Sequence, residues 1–242
     1  MLRMLFLRLG GNMNIIKSIN NLNNFEKILW FCSVILLLIT FILAPNCDIL
    51  TMIASLIGVT ALIFVAKGDA IGQLLTLIFA AIYAIISYLF RYFGEMITYM
   101  GMTAPIALAS MITWLKNPYS QLEVKVNHLT GKIWSILVLL TILVTSIFYY
   151  ILKAFDTPNL LFSTISISTS FMASSLTLLR SPYYAIAYAL NDIVLIVLWI
   201  LASMNDIAFL PMVLCFIIFF INDLYGFCNW QAMKIRQQNC FR

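Results

Sequence analysis

The chain has 242 residues, of which 63% are apolar and only 10% charged, whereas a soluble domain carries roughly a quarter charged residues. The formal charge of +5 is scattered between long apolar runs, which excludes the basic soluble face of a nucleic-acid-binding protein. The five cysteines form no Cys-x-x-Cys pair and the lone histidine, His128, falls in a polar loop, so no metal centre, haem or other cofactor is assigned.

Residues 1–27 open with "MLRMLFLRLGG", basic and apolar but too short to span a bilayer. They read as an in-plane amphipathic or disordered segment, with Met13 as an alternative start. No small-residue cleavage site follows, so a cleaved signal is not expected. Eight apolar segments come next, at 28–44, 49–66, 70–90, 96–115, 133–155, 158–179, 182–204 and 207–230. Each is near the ~20 residues a membrane helix needs, the first being the shortest. Backbone groups in lipid must bond internally, and runs of this length lack the alternation of barrel strands. The expected fold is an all-α membrane protein with one transmembrane domain over 28–237 and a tail at 238–242.

Polar residues interrupt the segments in helical stripes. Segment three carries Gln73, Thr76, Tyr83 and Ser87. Segment four carries Glu95, Tyr99, Thr103 and Ser110, with Pro105 placed to kink it. In segment six, Ser163, Ser166, Ser170, Ser174 and Thr177 form a stripe whose first reading is close helix packing, with a lined path as the alternative. On segment seven Tyr184, Tyr188, Asn191, Asp192 and Trp199 share a face, and Asp192 lies about 15 Å from one end. Segment eight holds Asn222 and Asp223 inside "FFINDLYGFCNW", followed by Tyr225.

A carboxylate at such depth costs a few kcal/mol unless it meets water, a cation or a donor. Structural bonds between helices would satisfy either Asn-Asp pair. Two such pairs on consecutive helices favour a wet, ligand-sized chamber built from segments three, four, seven and eight. Trp114 and Trp230 read as an interfacial aromatic belt, and Trp199 as either belt or pocket.

Orientation follows from Lys and Arg. The side holding the N-terminus receives Arg3, Arg8, Lys17, Lys27, Lys67, Lys116, Lys125, Lys132, Arg180, Lys234, Arg236 and Arg242; the other side receives Arg91 and Lys153. Both termini are therefore expected in the cytoplasm. Segments two to four (49–115) also resemble segments six to eight (158–230), with segment five as a linker. Corners "VAKGDA" and "LLRSPY" correspond, as do outer turns "YFGEM" and "SMNDI" and ends "MITWLKN" and "CNWQAMK". Matching Asp69 to Arg180 and Glu95 to Asp206 gives one offset of 111 residues, and Trp114 to Trp230 drifts from it by five. Three helices per trio make the repeats parallel, a transporter plan with its site between the halves.

Aromatic faces favour a flat and, better, cationic ring. Asn and Asp suit sugar hydroxyls. No Lys or Arg lies inside a segment to hold a phosphate. A neutral or cationic ring-plus-ribose compound fits, and a nucleotide does not.

The stretches "SPYYAIAYALNDIVLIVLWILASMNDI" (181–207), "FFINDLYGFCNWQAMKIRQ" (219–237) and, more loosely, "FGEMITYMGM" (93–102) resemble the PnuC-type vitamin transporters. That resemblance implies a SWEET-like core of three, one and three helices with an extra helix ahead of it. It also implies a homo-oligomer, often a trimer, in the lipid of the cell (inner) membrane. The implied activity is facilitated diffusion of nicotinamide riboside, trapped by phosphorylation inside the cell. Asn191, Asn222, Asp223 and Tyr225 are the residues it carries over. One departure is Ala187, where some members have tryptophan. Carriage of thiamine, riboflavin, a deoxynucleoside or a sugar, with proton coupling through Asp192 or Asp223, remains the alternative. No His-Glu-x-x-His, no nucleophile beside a histidine and no Gly-x-Gly-Asp points to an enzyme. The expected substrate site comprises Tyr188 and Trp199 around the ring, Asn191, Asn222 and Tyr225 on ribose and amide, and Asp192 or Asp223 against the positive charge. Tyr99, Thr103 and Gln73 complete it.

Overall fold

A computed structural model describes residues 15–43, 48–89, 93–204 and 207–239. The possible start at Met13, Arg91 and Asp206 lie outside the described residues. Among the described residues, eight helices are long and apolar enough to cross a membrane: α1 Asn24–Leu43, α2 Ile49–Ala66, α3 Ala70–Leu89, α4 Phe93–Lys116, α5 Gly131–Ala154, α6 Leu160–Leu178, α7 Tyr184–Ser203 and α8 Leu210–Asn239. A short helix, Ile15–Asn20, precedes them. The start of α1 is set by a reciprocal cap: Glu26 N donates to Asn23 Oδ1 at 2.8 Å and Asn23 N to Glu26 Oε2 at 2.7 Å. At the other end of the chain α8 runs past its expected end at Trp230 to Asn239, and its last turn packs on the loop at 123–126 through Gln237.

The backbone just before Pro105 departs from regular α-helix, as a proline that leaves a carbonyl unbonded would lead one to expect. The five residues before Ala104, Tyr99–Thr103, wind as a π-helical turn. The wider turn absorbs the carbonyl that proline cannot bond.

Packing closes a ring in which α2 meets α3, α3 meets α4, α4 meets α6, α6 meets α7, α7 meets α8 and α8 returns to α2. Exchanging α2, α3, α4 for α6, α7, α8 maps this ring onto itself. Helix α5 lies outside the ring on α6, and α1 lies outside it on α2 and α8.

The two inner corners use the same backbone bonds. Gly68 N donates to Val65 O at 2.9 Å and Asp69 N to Phe64 O at 3.0 Å; Arg180 N donates to Thr177 O at 3.0 Å and Ser181 N to Leu176 O at 2.9 Å. Gly68 (φ 71°) and Arg180 (φ 57°) are the left-handed residues that turn each corner. The offset that superposes the corners is therefore 112 residues, Asp69 to Ser181, and the Asp69–Arg180 match is one residue out of register. Charge suggested the earlier match, but the left-handed residue sets the turn.

The loops rich in Lys and Arg are knitted together at this same end. A short hairpin, β1 Pro118–Ser120 and β2 Glu123–Val124, lies there. Val124 N donates to Gly68 O at 2.9 Å, Asn127 N to Arg180 O at 3.0 Å, and Val126 N to Gln237 Oε1 at 2.8 Å. Arg236 pairs with Glu123.

Candidate functional site

The ring of six helices encloses a chamber. On α7 the spacing of Tyr184, Tyr188, Asn191 and Asp192 turns all four inward, and all line it. Asp223 of α8 faces them, with Gln73 of α3 and Tyr99 and Thr103 of α4 completing the wall. Seven of the ten sequence-assigned site residues thus converge: Gln73, Tyr99, Thr103, Tyr188, Asn191, Asp192 and Asp223. Helices α2 and α6 also line the chamber, through Gly58, Leu62 and Val65, and through Ser170, Ser174 and Thr177. The serine stripe of α6 is therefore both a packing seam and a wall.

That stripe positions the amide of α7. Asn191 Oδ1 accepts from Thr169 Oγ1 at 2.8 Å, Ser170 Oγ at 3.0 Å and Ser166 Oγ at 3.4 Å. With the carbonyl oxygen saturated, the Asn191 NH2 is the donor left for a ligand. The Tyr188 hydroxyl is held at 2.9 Å by Ser174. Asp192 and Asp223 are buried, 3% and 4% exposed, and both line the chamber. Asp192 Oδ2 is buried with no hydrogen-bond partner. Among the described residues, no Lys, Arg or His lines the chamber, and its acidic groups are Asp192 and Asp223.

Three assigned residues lie elsewhere. Asn222 precedes Asp223 by one residue, about 100° around the helix, and faces α1. Its Nδ2 donates to Ser33 Oγ at 3.1 Å and to Ile218 O at 2.8 Å. Tyr225 donates its hydroxyl to Glu26 of α1, and Glu26 also meets Lys67 Nζ at 3.3 Å. Trp199 packs on Phe209 at 5.6 Å; it shares a buried cluster with Leu195, Phe216 and Phe219 but does not itself line the chamber. The extra helix α1 claims the first two, an arrangement that no pattern within segment eight records.

Trp114 and Trp230 are not a lipid-facing belt; they are 2% and 0% exposed. Each reaches across to the other trio: Trp114 Nε1 donates to Thr177 O at 3.0 Å, and Trp230 Nε1 to Val65 O at 2.9 Å. These acceptors are again 112 residues apart. The two indoles pack at 5.4 Å, and Tyr184 meets Trp230 at 4.9 Å. Together they floor the chamber toward the loops rich in Lys and Arg.

On the opposite side an aromatic cluster roofs it. Tyr99 lies 4.3 Å from Tyr83 and 6.0 Å from Phe79, and Phe79 lies 6.2 Å from Phe219. Phe79 and Phe219 went unassigned in the sequence because an inward phenylalanine looks the same whether it faces core or ligand. The enclosed space is about 90 Å³, below the ~300 Å³ of a small-ligand pocket. A ligand of that size fits only when roof or floor side chains move apart.

Residues 48–232 match the nicotinamide mononucleotide transporter family. A nicotinamide riboside transporter PnuC of Neisseria mucosa is 26% identical over 204 residues, covering 82% of this chain and 77% of the relative. A nicotinamide riboside transporter PnuC of Haemophilus influenzae is 25% identical over 191 residues, covering 77% and 81%. The crystal structure of a vitamin B3 transporter PnuC shares the fold, with a TM-score of 0.77 at 24% identity over 90% of this chain and 94% of that one.

Proposed function

The chain belongs to the nicotinamide mononucleotide transporter family, and from that premise we propose that it carries nicotinamide riboside across the cell (inner) membrane by alternating access. The observation that carries the choice of substrate is the chamber's charge. Two buried carboxyls line the chamber, with no basic residue on its wall among the described residues. Such a site attracts a pyridinium ring and repels the phosphate of a mononucleotide. The curated relatives bear the riboside's name, and the family description bears the mononucleotide's; the acidic wall favours the riboside.

In this reading Tyr188 and Tyr99 flank the ring, Asp192 and Asp223 balance its charge, and Asn191, Gln73 and Thr103 bind ribose and carboxamide. Asn222, Tyr225 and Trp199 support the frame and do not contact substrate. The two trios, 49–115 and 158–230, rock about the chamber. The crossed tryptophans close its cytoplasmic end, and the roof of Tyr83, Tyr99 and Phe79 closes the other. Uptake runs down the substrate gradient and is sustained by phosphorylation inside the cell. Helix α5, packed chiefly on α6 and exposed over much of its apolar length, is the face we assign to a homo-oligomeric contact.

A related cationic vitamin such as thiamine is the second reading, because the wall selects for positive charge before it selects for ribose. Purified protein in liposomes tests both. Labelled nicotinamide riboside is expected to enter with no imposed proton or sodium gradient, and nicotinamide mononucleotide is expected not to. Absence of riboside flux, or flux only under an imposed gradient, contradicts the proposal.

A further inference from the structure

A second cavity lies outside the chamber, at the end rich in Lys and Arg. Its volume is about 390 Å³, which is the size of a small-ligand site. Its wall is polar. Lys67 and Arg236 enter it beside the amides of Asn21, Gln121 and Asn229 and the hydroxyl of Ser120. Among the described residues, Glu123 is its one carboxylate. Both cations have a carboxylate partner and keep donors to spare. Lys67 Nζ meets Glu26 at 3.3 Å with its side chain 20% exposed, and Arg236 pairs with Glu123 through one nitrogen while 56% exposed. An ammonium has three N–H groups and a guanidinium five. Glu26 also accepts from Tyr225, and Glu123 from Gln237 Nε2 at 2.7 Å, so each carboxylate is held to the wall. Lys and Arg outnumber acids at this end, where the described acids are Glu26, Asp69 and Glu123. The field there favours an anion.

The cavity also straddles the joint between the trios. Lys67 sits at the corner of α2 and α3, and Ser120 and Gln121 lie in the hairpin that follows α4. Asn229 and Arg236 belong to α8. Asn229 Nδ2 donates to Ala66 O at 2.7 Å, beside the Trp230 bond to Val65 O at 2.9 Å. A ligand touching Lys67 and Arg236 together therefore spans the seam that the crossed tryptophans close.

We propose that this cavity is a regulatory site for a nucleoside phosphate, and that its occupant holds the two trios together at the cytoplasmic end and slows uptake. The uptake part rests on the riboside reading above. Arg236 offers a planar fork to phosphate oxygens and Lys67 a point charge. The amides and the Ser120 hydroxyl suit sugar hydroxyls and the edge of a base, for which a bare phosphate would have no use. The chamber and this cavity thus sort ligands by charge. The acids of the chamber reject a phosphate, and the cations here take it. Phosphorylation of the carried riboside makes a compound of this class on this side of the membrane. Rocking that opens the cytoplasmic end draws α8 from the Lys67 corner and divides the cavity, so the ligand favours the closed form. That differential affinity is what couples binding to transport.

Adenosine monophosphate and nicotinamide mononucleotide are the probes, titrated into the purified full-length protein while Tm is followed in detergent. Both should raise Tm, and adenosine and inorganic phosphate should not. The shift should shrink as salt is raised. Arg236→Gln should weaken nucleotide binding about tenfold, the scale of a charged hydrogen bond. Gln121→Glu, on an exposed hairpin turn, should do the same by repulsion and guards against a variant that fails to fold. In liposomes sorted to one orientation, adenosine monophosphate on the Arg236 side should slow riboside uptake at least about fivefold, the low end of allosteric coupling, and on the other side should not. An equal shift with inorganic phosphate contradicts the proposal, as does a shift abolished by vesicles of anionic lipid, which would make a headgroup the occupant. Normal riboside uptake with no nucleotide effect on Tm or rate overturns the site and leaves the substrate reading intact. A nucleotide shift lost in both variants, in a protein that never carries the riboside, overturns the substrate reading and the uptake control that rests on it.

Discussion

The two trios place matching positions on opposite walls of one chamber and fill them with opposite chemistry. At the corner register of 112 residues, Gly58, Leu62 and Val65 of α2 correspond to Ser170, Ser174 and Thr177 of α6, and Thr76 and Phe79 of α3 to Tyr188 and Asn191 of α7; all ten line the chamber. The first trio therefore offers a mainly apolar wall and the second a mainly hydroxyl and amide wall. Geometry repeats where the backbone must close, at the corners and the crossed tryptophans. It diverges where a ligand would lie. An asymmetric substrate, flat and cationic at one end and hydroxylated at the other, needs such an unequal pair of walls.

The largest break in that comparison is to make the polar wall apolar. Asn191→Leu removes the amide and leaves the hydroxyls of Thr169, Ser170 and Ser166 without their shared acceptor. Riboside uptake in liposomes should show KM raised by about 10- to 100-fold, the scale of a lost hydrogen bond plus stranded buried partners. Next is a change on the apolar wall. A Cβ at Gly58 would lie 2.6 Å from Phe219 Cζ, so Gly58→Ala pushes that ring toward the chamber. Overpacking of this kind costs about 1–3 kcal/mol, and we expect it as lost flux near tenfold in a protein that still purifies as folded.

The crossed tryptophans test the symmetric part. Trp114→Phe and Trp230→Phe each remove one donor between trios, worth about 1 kcal/mol. Their Tm decreases in detergent should be similar, and a large effect from only one would show that the exchange symmetry is geometric and not energetic. A smaller effect belongs to residues off the chamber. Tyr225→Phe loses the bond to Glu26 and should lower Tm by the equivalent of about 0.5–1.5 kcal/mol with KM unchanged; a raised KM would return Tyr225 to the substrate site.

The smallest effect lies at the corner. Burial lifts the Asp69 carboxyl above its ordinary range, with the Ser18 hydroxyl and the Ile71 N–H pulling it partly back. A carboxyl with a raised folded-state pKa favours folding when protonated, and that contribution is lost as pH rises through the folded value. Asp69→Asn keeps an acceptor for Ile71 N and offers a donor to Ser18, so Tm should rise slightly at neutral pH and lose its Asp69-dependent decline with pH.

Much of this was legible in the chain itself. The eight spans follow from the length of each apolar run, and the inward face of α7 from the spacing of Tyr184, Tyr188, Asn191 and Asp192, because lipid and the helical period leave few alternatives. What stayed hidden depended on neighbours. Asp223 and Asn222 differ by one residue and look alike as polar intrusions, yet one meets the chamber and the other Ser33 of α1. An amphipathic indole suits a membrane interface and a buried latch equally, so Trp114 and Trp230 gave no sign of reaching across to Thr177 and Val65. The repeat was visible, but its register was set by the left-handed Gly68 and Arg180, a backbone property that charge matching missed by one residue.

The central claim is that substrate binds between the two unequal walls. A structure of the protein with nicotinamide riboside tests it most directly. The ring should lie beside Asp192 and Asp223 with the ribose toward Asn191, in a chamber enlarged by displacement of Tyr99, Phe79 or Phe219. Ligand found instead in the seam between α1 and α8, beside Asn222 and Tyr225, with the chamber still closed, would contradict the account.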